Sequence, residues 1–142
     1  DKPSYFGVIG DCSASNLMAL GCTGCITNGG IRDIEEVDKL GFSVFASAPA
    51  LGYGYFRFVD INIPVMVGGM TIRPGELLHA DAHGVMTIPN EIPLTMLIKA
   101  AKKYMDAEDE VKKYCKSSDF TVDRLHEMMK ELDGMRIGSH LK

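Results

Sequence analysis

The chain reads as an α/β protein with a parallel βαβ half, a β-rich barrel or sandwich layer, and two C-terminal helices. Three observations predict this. Residues 5–46 alternate short apolar runs, glycine-rich turns and helically spaced apolar residues, the rhythm of parallel strands joined by helices. Residues 53–88 are β-prone and punctuated by Gly68-Gly69, Gly75 and Gly84. From Pro93 onward two amphipathic helical patterns follow one another. The expected division is a core over residues 1–92 and a helical extension over residues 93–142.

Tyr5 to Ile9 is the first strand. Gly10-Asp11-Cys12-Ser13 is a turn rich in capping residues, and helical spacing runs from Ala14 through Leu17, Met18 and Leu20 to a stop at Gly21. Cys25-Ile26-Thr27 is a short buried strand and Asn28-Gly29-Gly30 a turn. Asp33 to Leu40 is a second helix, with Ile34, Val37 and Leu40 on one face and Gly41 at its end; Ser43 to Ala46 is again a strand. Tyr53 to Ile61 is aromatic and β-prone, and Val65 to Val67 and Met70 to Ile72 flank Gly68-Gly69 as a hairpin. After the turn Arg73-Pro74-Gly75-Glu76, strands at Leu77 to His79 and Val85 to Ile88 enclose the turn Asp81 to Gly84. Pro93 to Cys115 is a long helix with Leu94, Leu97, Ile98 and Ala101 on one side. Asp119 to Leu132 is the last helix, and the tail after Gly134 is expected to be loose.

Composition narrows the function. The chain has 142 residues, 46% hydrophobic and 24% charged, close to globular averages. A net charge of −4 and a pI near 5.5 lack the basic face of a dedicated nucleic-acid binder. Cys12, Cys22, Cys25 and Cys115 are too few and too unevenly placed for a secreted disulfide framework and are expected as reduced thiols of a cytoplasmic protein. No apolar run approaches the roughly 18 residues of a membrane span. Asp1-Lys2-Pro3 is not a signal peptide, and a strand beginning almost at the first residue is expected of a piece of a longer protein.

Three stretches carry candidate chemistry. Asn28-Gly29-Gly30-Ile31-Arg32-Asp33 follows a strand and opens a helix, where α/β folds gather ligands. Its glycines permit a tight turn and close approach to a small ligand. Arg32 offers a planar fork of donors for a carboxylate or enolate oxygen, and Asp33 hard oxygens for Mg²⁺ or Mn²⁺. The plainer alternative is that Asp33 caps its helix and Arg32 makes a surface ion pair. In Gly10-Asp11-Cys12-Ser13-Ala14-Ser15, free amides at a helix start suit an anion, and Asp11 suits a water or a metal-bound ligand; the alternative is an N-cap by Asp11 or Ser13. Two strand-to-helix turns of adjacent parallel units bring their tips to one sheet edge, which favours a joint site. In Pro74 to Val85, Glu76, His79, Asp81 and His83 resemble metal ligands, but the surrounding Gly, Pro and β-branched residues disfavour the helix that would align the histidines. Buried or turn-stabilising polar groups are the better reading there. Pairing Cys22-x-x-Cys25 with these histidines as a zinc finger fails on spacing.

Together these stretches resemble the RraA-like family, which includes 4-hydroxy-4-methyl-2-oxoglutarate (HMG) aldolase and the regulator of ribonuclease activity A. The resemblance rests on Gly10-Asp11, Gly29-Gly30-Ile31-Arg32-Asp33, Gly41-Phe42-Ser43-Val44-Phe45, Pro74-Gly75-Glu76-Leu77-Leu78-His79-Ala80-Asp81, and His83-Gly84-Val85 to Pro89. It implies a swivelling β/β/α-domain-like fold assembled as a homotrimer or homohexamer with sites between subunits. It implies a divalent-metal-dependent lyase that cleaves or decarboxylates a 2-keto acid through a metal-stabilised pyruvate enolate. In that reading Arg32 binds the pyruvyl group, Asp33 ligates Mg²⁺ or Mn²⁺ partly through waters, and Asp11 positions a metal-bound water. Backbone amides of Cys12, Ser13, Ala14 and Ser15 contact the substrate carboxylate. Family members of the regulator type often lack the acid matching Asp33, so its presence favours the catalytic branch over a non-catalytic regulatory or protein-binding role. A methyltransferase reading ranks last, because no glycine-rich nucleotide loop is present. Three departures from the family pattern stand out: an N-terminal region before Gly10 is missing, Glu76 replaces the usual Asp, and two histidines flank Asp81 ahead of a long helical tail.

Overall fold

The computed structural model describes residues 6–55 and 57–136 and divides the chain into two compact units, Asp1–Asn90 and Glu91–Lys142. The first unit is a mixed α/β assembly. In chain order it contains β1 (Gly7–Ile9), α1 (Asp11–Ala19), β2 (Gly24–Ile26), β3 (Gly30–Ile31), α2 (Ile34–Lys39), β4 (Ser43–Phe45) and β5 (Ala48–Pro49). The hairpin strands β6 (Val65–Val67), β7 (Met70–Ile72), β8 (Leu77–Asp81) and β9 (Gly84–Ile88) complete it.

The expected parallel strands are present, but they divide between two sheets. One is the parallel order β1-β3-β5 and the other the parallel pair β2-β4. The element beside β1 is therefore not Cys25 to Thr27 but Gly30-Ile31, part of which reads from sequence as a turn. Glycines there serve packing. A β-carbon on Gly30 would lie 2.6 Å from the Ala50 β-carbon and 3.1 Å from the Phe6 carbonyl oxygen, and one on Gly29 would collide with the Val8 side chain. Their φ angles are not in the left-handed region, so the bare backbone lets strands approach rather than bending the chain.

Helix α1 begins at Asp11, earlier than the apolar spacing from Ala14 suggests, because Gly10 takes the N-cap position. Neither Asp11 nor Ser13 is the N-cap; Ser13 Oγ instead reaches back to accept the Gly10 N–H at 2.9 Å, the return half of a capping box. The helix ends in a Schellman motif, with Gly21 at φ +89, its N–H donating to Met18 O, and Cys22 N–H to Leu17 O. Gly41 at φ +70 closes α2 in a related way. The core is Ile9, Ala14, Val37 and Phe42, with Leu17, Cys25, Ile31 and Val44 packed against it. On α2 only Val37 of the expected apolar face is buried; Ile34 and Leu40 remain exposed.

The β-rich block consists of two separate antiparallel hairpins, β6-β7 and β8-β9, with no closed barrel among the described residues. Gly68 and Gly69, at φ +57 and +81, form the primed turn that matches strand twist. Of Tyr53 to Ile61, only Tyr53 joins a ladder, as an isolated parallel bridge to Gly7, and Phe56 lies outside the described residues. Asn28 ties β6-β7 down: its Nδ2 donates to Met66 O at 2.9 Å and its Oδ1 accepts the Gly68 N–H at 2.7 Å.

The second unit is a helical hairpin, α3 (Leu94–Tyr114) and α4 (Val122–Arg136). Tyr114 organises the connection, its hydroxyl donating to Asp119 O and accepting the Thr121 N–H, with its ring 5.9 Å from that of Phe120. Gly134 lies inside α4 rather than at its end, and the tail beyond Arg136 lies outside the described residues. No helix among the described residues is long and apolar enough to cross a membrane.

Candidate functional site

The site is built by two adjacent parallel strands. β1 and β3 pair in parallel, Gly7 with Gly30 and Ile9 with Ile31, with a register shift between Gly7 and Ile9, so both C-terminal ends reach the same sheet edge, the usual ligand position of such sheets. β1 delivers Gly10-Asp11 there and β3 delivers Arg32-Asp33. The Arg32 N–H donates to Ile9 O at 2.9 Å and locks the two ends together.

Asp33 is at the N-cap position of α2, yet its side chain makes no capping hydrogen bond. Its backbone is left-handed, φ +52 and ψ +44, whereas a capping residue normally has an extended backbone. Aspartate tolerates this region better than most residues because its short polar side chain bonds locally. The capping alternative for Asp33 therefore fails. Its carboxylate instead points back over β1, where a β-carbon on Gly10 would lie 2.7 Å from Oδ2.

Arg32 leans the same way. Its Nη2 is 3.6 Å from Asp33 Oδ1, with both side chains about a quarter to a third exposed. Its stem crosses the bare α-carbon of Gly7, where a β-carbon would come within 2.8 Å of Cγ and Cδ. Its Cζ lies 4.1 Å from the centroid of the Tyr53 ring. Gly7 and Tyr53 are two contributors that the sequence reading missed. Gly7 looks like an ordinary strand residue, and Tyr53 is one of several aromatics in an apolar stretch. Their contacts with Arg32 and the Gly7–Tyr53 bridge reveal them.

Asp11 is exposed at the first position of α1, adjacent to Gly10, and its Oδ1 accepts the Cys12 N–H at 2.6 Å. Of the expected amide cradle, Cys12 is thus engaged by Asp11, and the Ala14 N–H donates to Gly10 O at 2.8 Å while its side chain is fully buried. Ser15 directs its hydroxyl to Asp11 O. The amides of Asp11 and Ser13, which precede the first full helical turn, have no i−4 carbonyl within the helix.

The third stretch forms a different feature. Asp81 Oδ1 accepts the His83 N–H at 2.8 Å, and Oδ2 lies 3.4 Å from His83 Nδ1 and 3.6 Å from His79 Nε2. The hydrogen bond from the His83 amide, then its ring, holds the Asp81 carboxyl below the ordinary aspartate range. All three side chains are exposed, so they are turn-stabilising rather than buried groups. Among the described residues no three His, Cys, Asp or Glu side chains converge as a metal cage. Cys25 has its thiol pushed up by burial and then by neighbouring Cys22.

A cleft of about 600 Å³ opens elsewhere, lined by β2, β4 and the hairpins through residues such as Ile26, Phe45, Val67 and Leu78. It contains no charged side chain and so no partner for a carboxylate. Arg32 and Asp33 do not line it; they meet at a partly open sheet edge.

A family model described as RraA-like, Aldolase/RraA, matches residues 1–87. A protein of Halalkalibacterium halodurans named "Putative 4-hydroxy-4-methyl-2-oxoglutarate aldolase" is 36% identical over 107 residues, covering 71% of this chain and 49% of that protein. The chain spans about half the length of the curated relatives it matches. Among solved structures, an uncharacterized protein from Pseudomonas syringae superposes with a TM-score of 0.65 at 22% identity, covering 85% of this chain and 60% of the other. The RNA-processing inhibitor RraA from Thermus thermophilis superposes with a TM-score of 0.54 at 24% identity, covering 62% and 54% respectively. At these identities the superpositions establish the shared fold alone.

Proposed function

The chain belongs to the RraA-like (Aldolase/RraA) family, and from that premise we propose that it is a divalent-metal-dependent lyase cleaving or decarboxylating a 2-keto acid. The observation that carries the reading is the meeting of Arg32, Asp33 and the Gly10-Asp11 turn at one sheet edge, with the Asp33 carboxylate released from capping and aimed over Gly10. The aldolase name of relatives near 36% identity supports the same class.

The donor set fits a hard, water-rich cation. Asp33 supplies oxygen ligands and Asp11 is a second carboxylate beside the same turn, oxygen donors of the kind Mg²⁺ takes while keeping several waters. When bound, such an ion supplies Lewis-acid polarisation of the keto oxygen. Arg32 contributes a fixed positive charge where oxyanion character grows as the C–C bond breaks. The amides of Asp11 and Ser13 are oriented by the start of α1 to receive the substrate carboxylate, and Asp11 holds a water for proton transfer. No Schiff-base lysine is required.

The same reading includes assembly as a homotrimer or homohexamer. Its support is the exposure of large apolar side chains, including Leu51, Tyr55, Phe58, Val59 and Ile61, more than an isolated protein usually leaves in water.

The deciding experiment is pyruvate release from oxaloacetate and from HMG, with Mg²⁺ or Mn²⁺ and then with excess chelator. Metal-stimulated turnover above the protein-free rate with the same metal, abolished by chelator, is the expected result. Turnover indifferent to metal would overturn the metal-dependent mechanism, and no turnover with either metal would overturn the lyase reading in favour of a regulatory, non-catalytic role.

A further inference from the structure

The guanidinium of Arg32 is restrained without being consumed. Among the described residues it donates no hydrogen bond; its nearest carboxylate oxygen is 3.6 Å away. What holds it is shape. The stem lies across the side-chain-free surface of Gly7, and Cζ lies 4.1 Å from the Tyr53 ring centroid. Both supports share one anchor, since Tyr53 bridges Gly7 and the Gly7 N–H donates to Gly52 O at 2.8 Å. The backbone that carries the ring is therefore tied to the same strand that the arginine stem crosses, although Tyr53 is 71% exposed.

We infer that Tyr53 is a positioning residue for Arg32: its ring covers one face of the guanidinium and leaves the in-plane N–H edge to grip a planar carboxylate. The inference rests on the reading of Arg32 as the carboxylate-binding group. An arginine in solution has many rotamers, and ordering it on ligand binding costs affinity. A ring stacked on the cation orders the fork beforehand while leaving its hydrogen-bonding edge free. The attraction between ring and cation also strengthens as a bound ligand excludes water from it. An acidic partner at hydrogen-bonding distance would order the arginine too, but would occupy the donors that a substrate needs. Stacking avoids that competition.

The test uses the full chain with Mn²⁺ and oxalate, a planar and unreactive dicarboxylate, as the calorimetric probe. Tyr53→Phe keeps the ring and is expected to bind oxalate within about twofold of the parent. Tyr53→Leu is expected to bind it roughly 3- to 30-fold more weakly, the range for loss of a cation–ring contact. The Arg32 Nε–Hε NMR signal supplies a readout independent of ligand. Ring stacking shifts it upfield in the parent and in Tyr53→Phe, and it returns to the unstacked position in Tyr53→Leu. Unchanged oxalate affinity in Tyr53→Leu, or an equal loss in Tyr53→Phe, overturns the inference while leaving the keto-acid reading intact. If the parent binds no oxalate, the keto-acid reading fails. The positioning role falls with it, and a ring-dependent upfield shift of the Arg32 signal would then show stacking alone.

Discussion

The carboxylate of Asp33 occupies the space that a side chain on Gly10 would need, with Oδ2 only 2.7 Å from the position of that missing β-carbon. The two residues are far apart in sequence and belong to different strand ends, yet each limits what the other can be.

Gly10→Ala should therefore displace the Asp33 carboxylate rather than unfold the protein. Gly10 has φ −150 and ψ −174, an extended backbone open to alanine. The cost at an N-cap is about 0.5–1 kcal/mol, a melting shift of a few degrees. Mn²⁺ affinity should fall on the order of tenfold, as when a ligand's support is lost. Calorimetric Mn²⁺ titration beside a thermal melt separates the two effects, and unchanged affinity would contradict the geometry.

Asp33→Asn should abolish metal-dependent turnover and leave stability nearly unchanged. Asparagine accepts the left-handed backbone as aspartate does, and there is no capping bond to lose. Asp33→Val should in addition lose about 1–2 kcal/mol through strain. Full activity in Asp33→Asn under saturating Mn²⁺ would end the reading of Asp33 as the metal ligand.

Asn28→Ala should release the β6-β7 hairpin from β2. It removes the bonds to Met66 O and Gly68 N–H, at 2.9 and 2.7 Å. Both groups lie where water reaches them, so the net loss is about 1–2 kcal/mol. Urea unfolding should show a lower midpoint, and amide exchange at Gly68 should accelerate before that of the core.

Asp81 gives a pH-dependent signature with a definite sign. Its carboxyl is held below the ordinary value of 3.8, first by the His83 amide. The bond to that amide is therefore fully present above the ordinary value and is lost as pH falls through the depressed one. The His83 N–H chemical shift should titrate with a midpoint below 3.8, and Asp81→Asn should remove that titration.

Strong local punctuation made much of the fold legible. Gly21 and Gly41 announce helix ends because only a left-handed residue satisfies the last carbonyls, and Gly68-Gly69 announces a hairpin for a similar reason. What escaped was long-range pairing. Gly30-Ile31 is too short and too glycine-rich to read as a strand, and its role depends on Ala50 and Phe6 approaching from elsewhere in the chain. The placement of β2 beside β4 rather than β1 is likewise a tertiary choice. Within the candidate site, Arg32, Asp33 and Asp11 stood out by charge at strand ends. Their relation to Gly7 and Tyr53 required the folded chain, since neither residue carries a signal distinct from its neighbours.

The left-handed backbone at Asp33 also bears on how members of this lineage diverge. Because that geometry admits asparagine and glycine with little penalty, the acidic group is lost by a single codon change that selection for folding does not detect. A chain with asparagine or glycine at this position would fold as well as this one, so the carboxylate is not held in place by any demand of the fold.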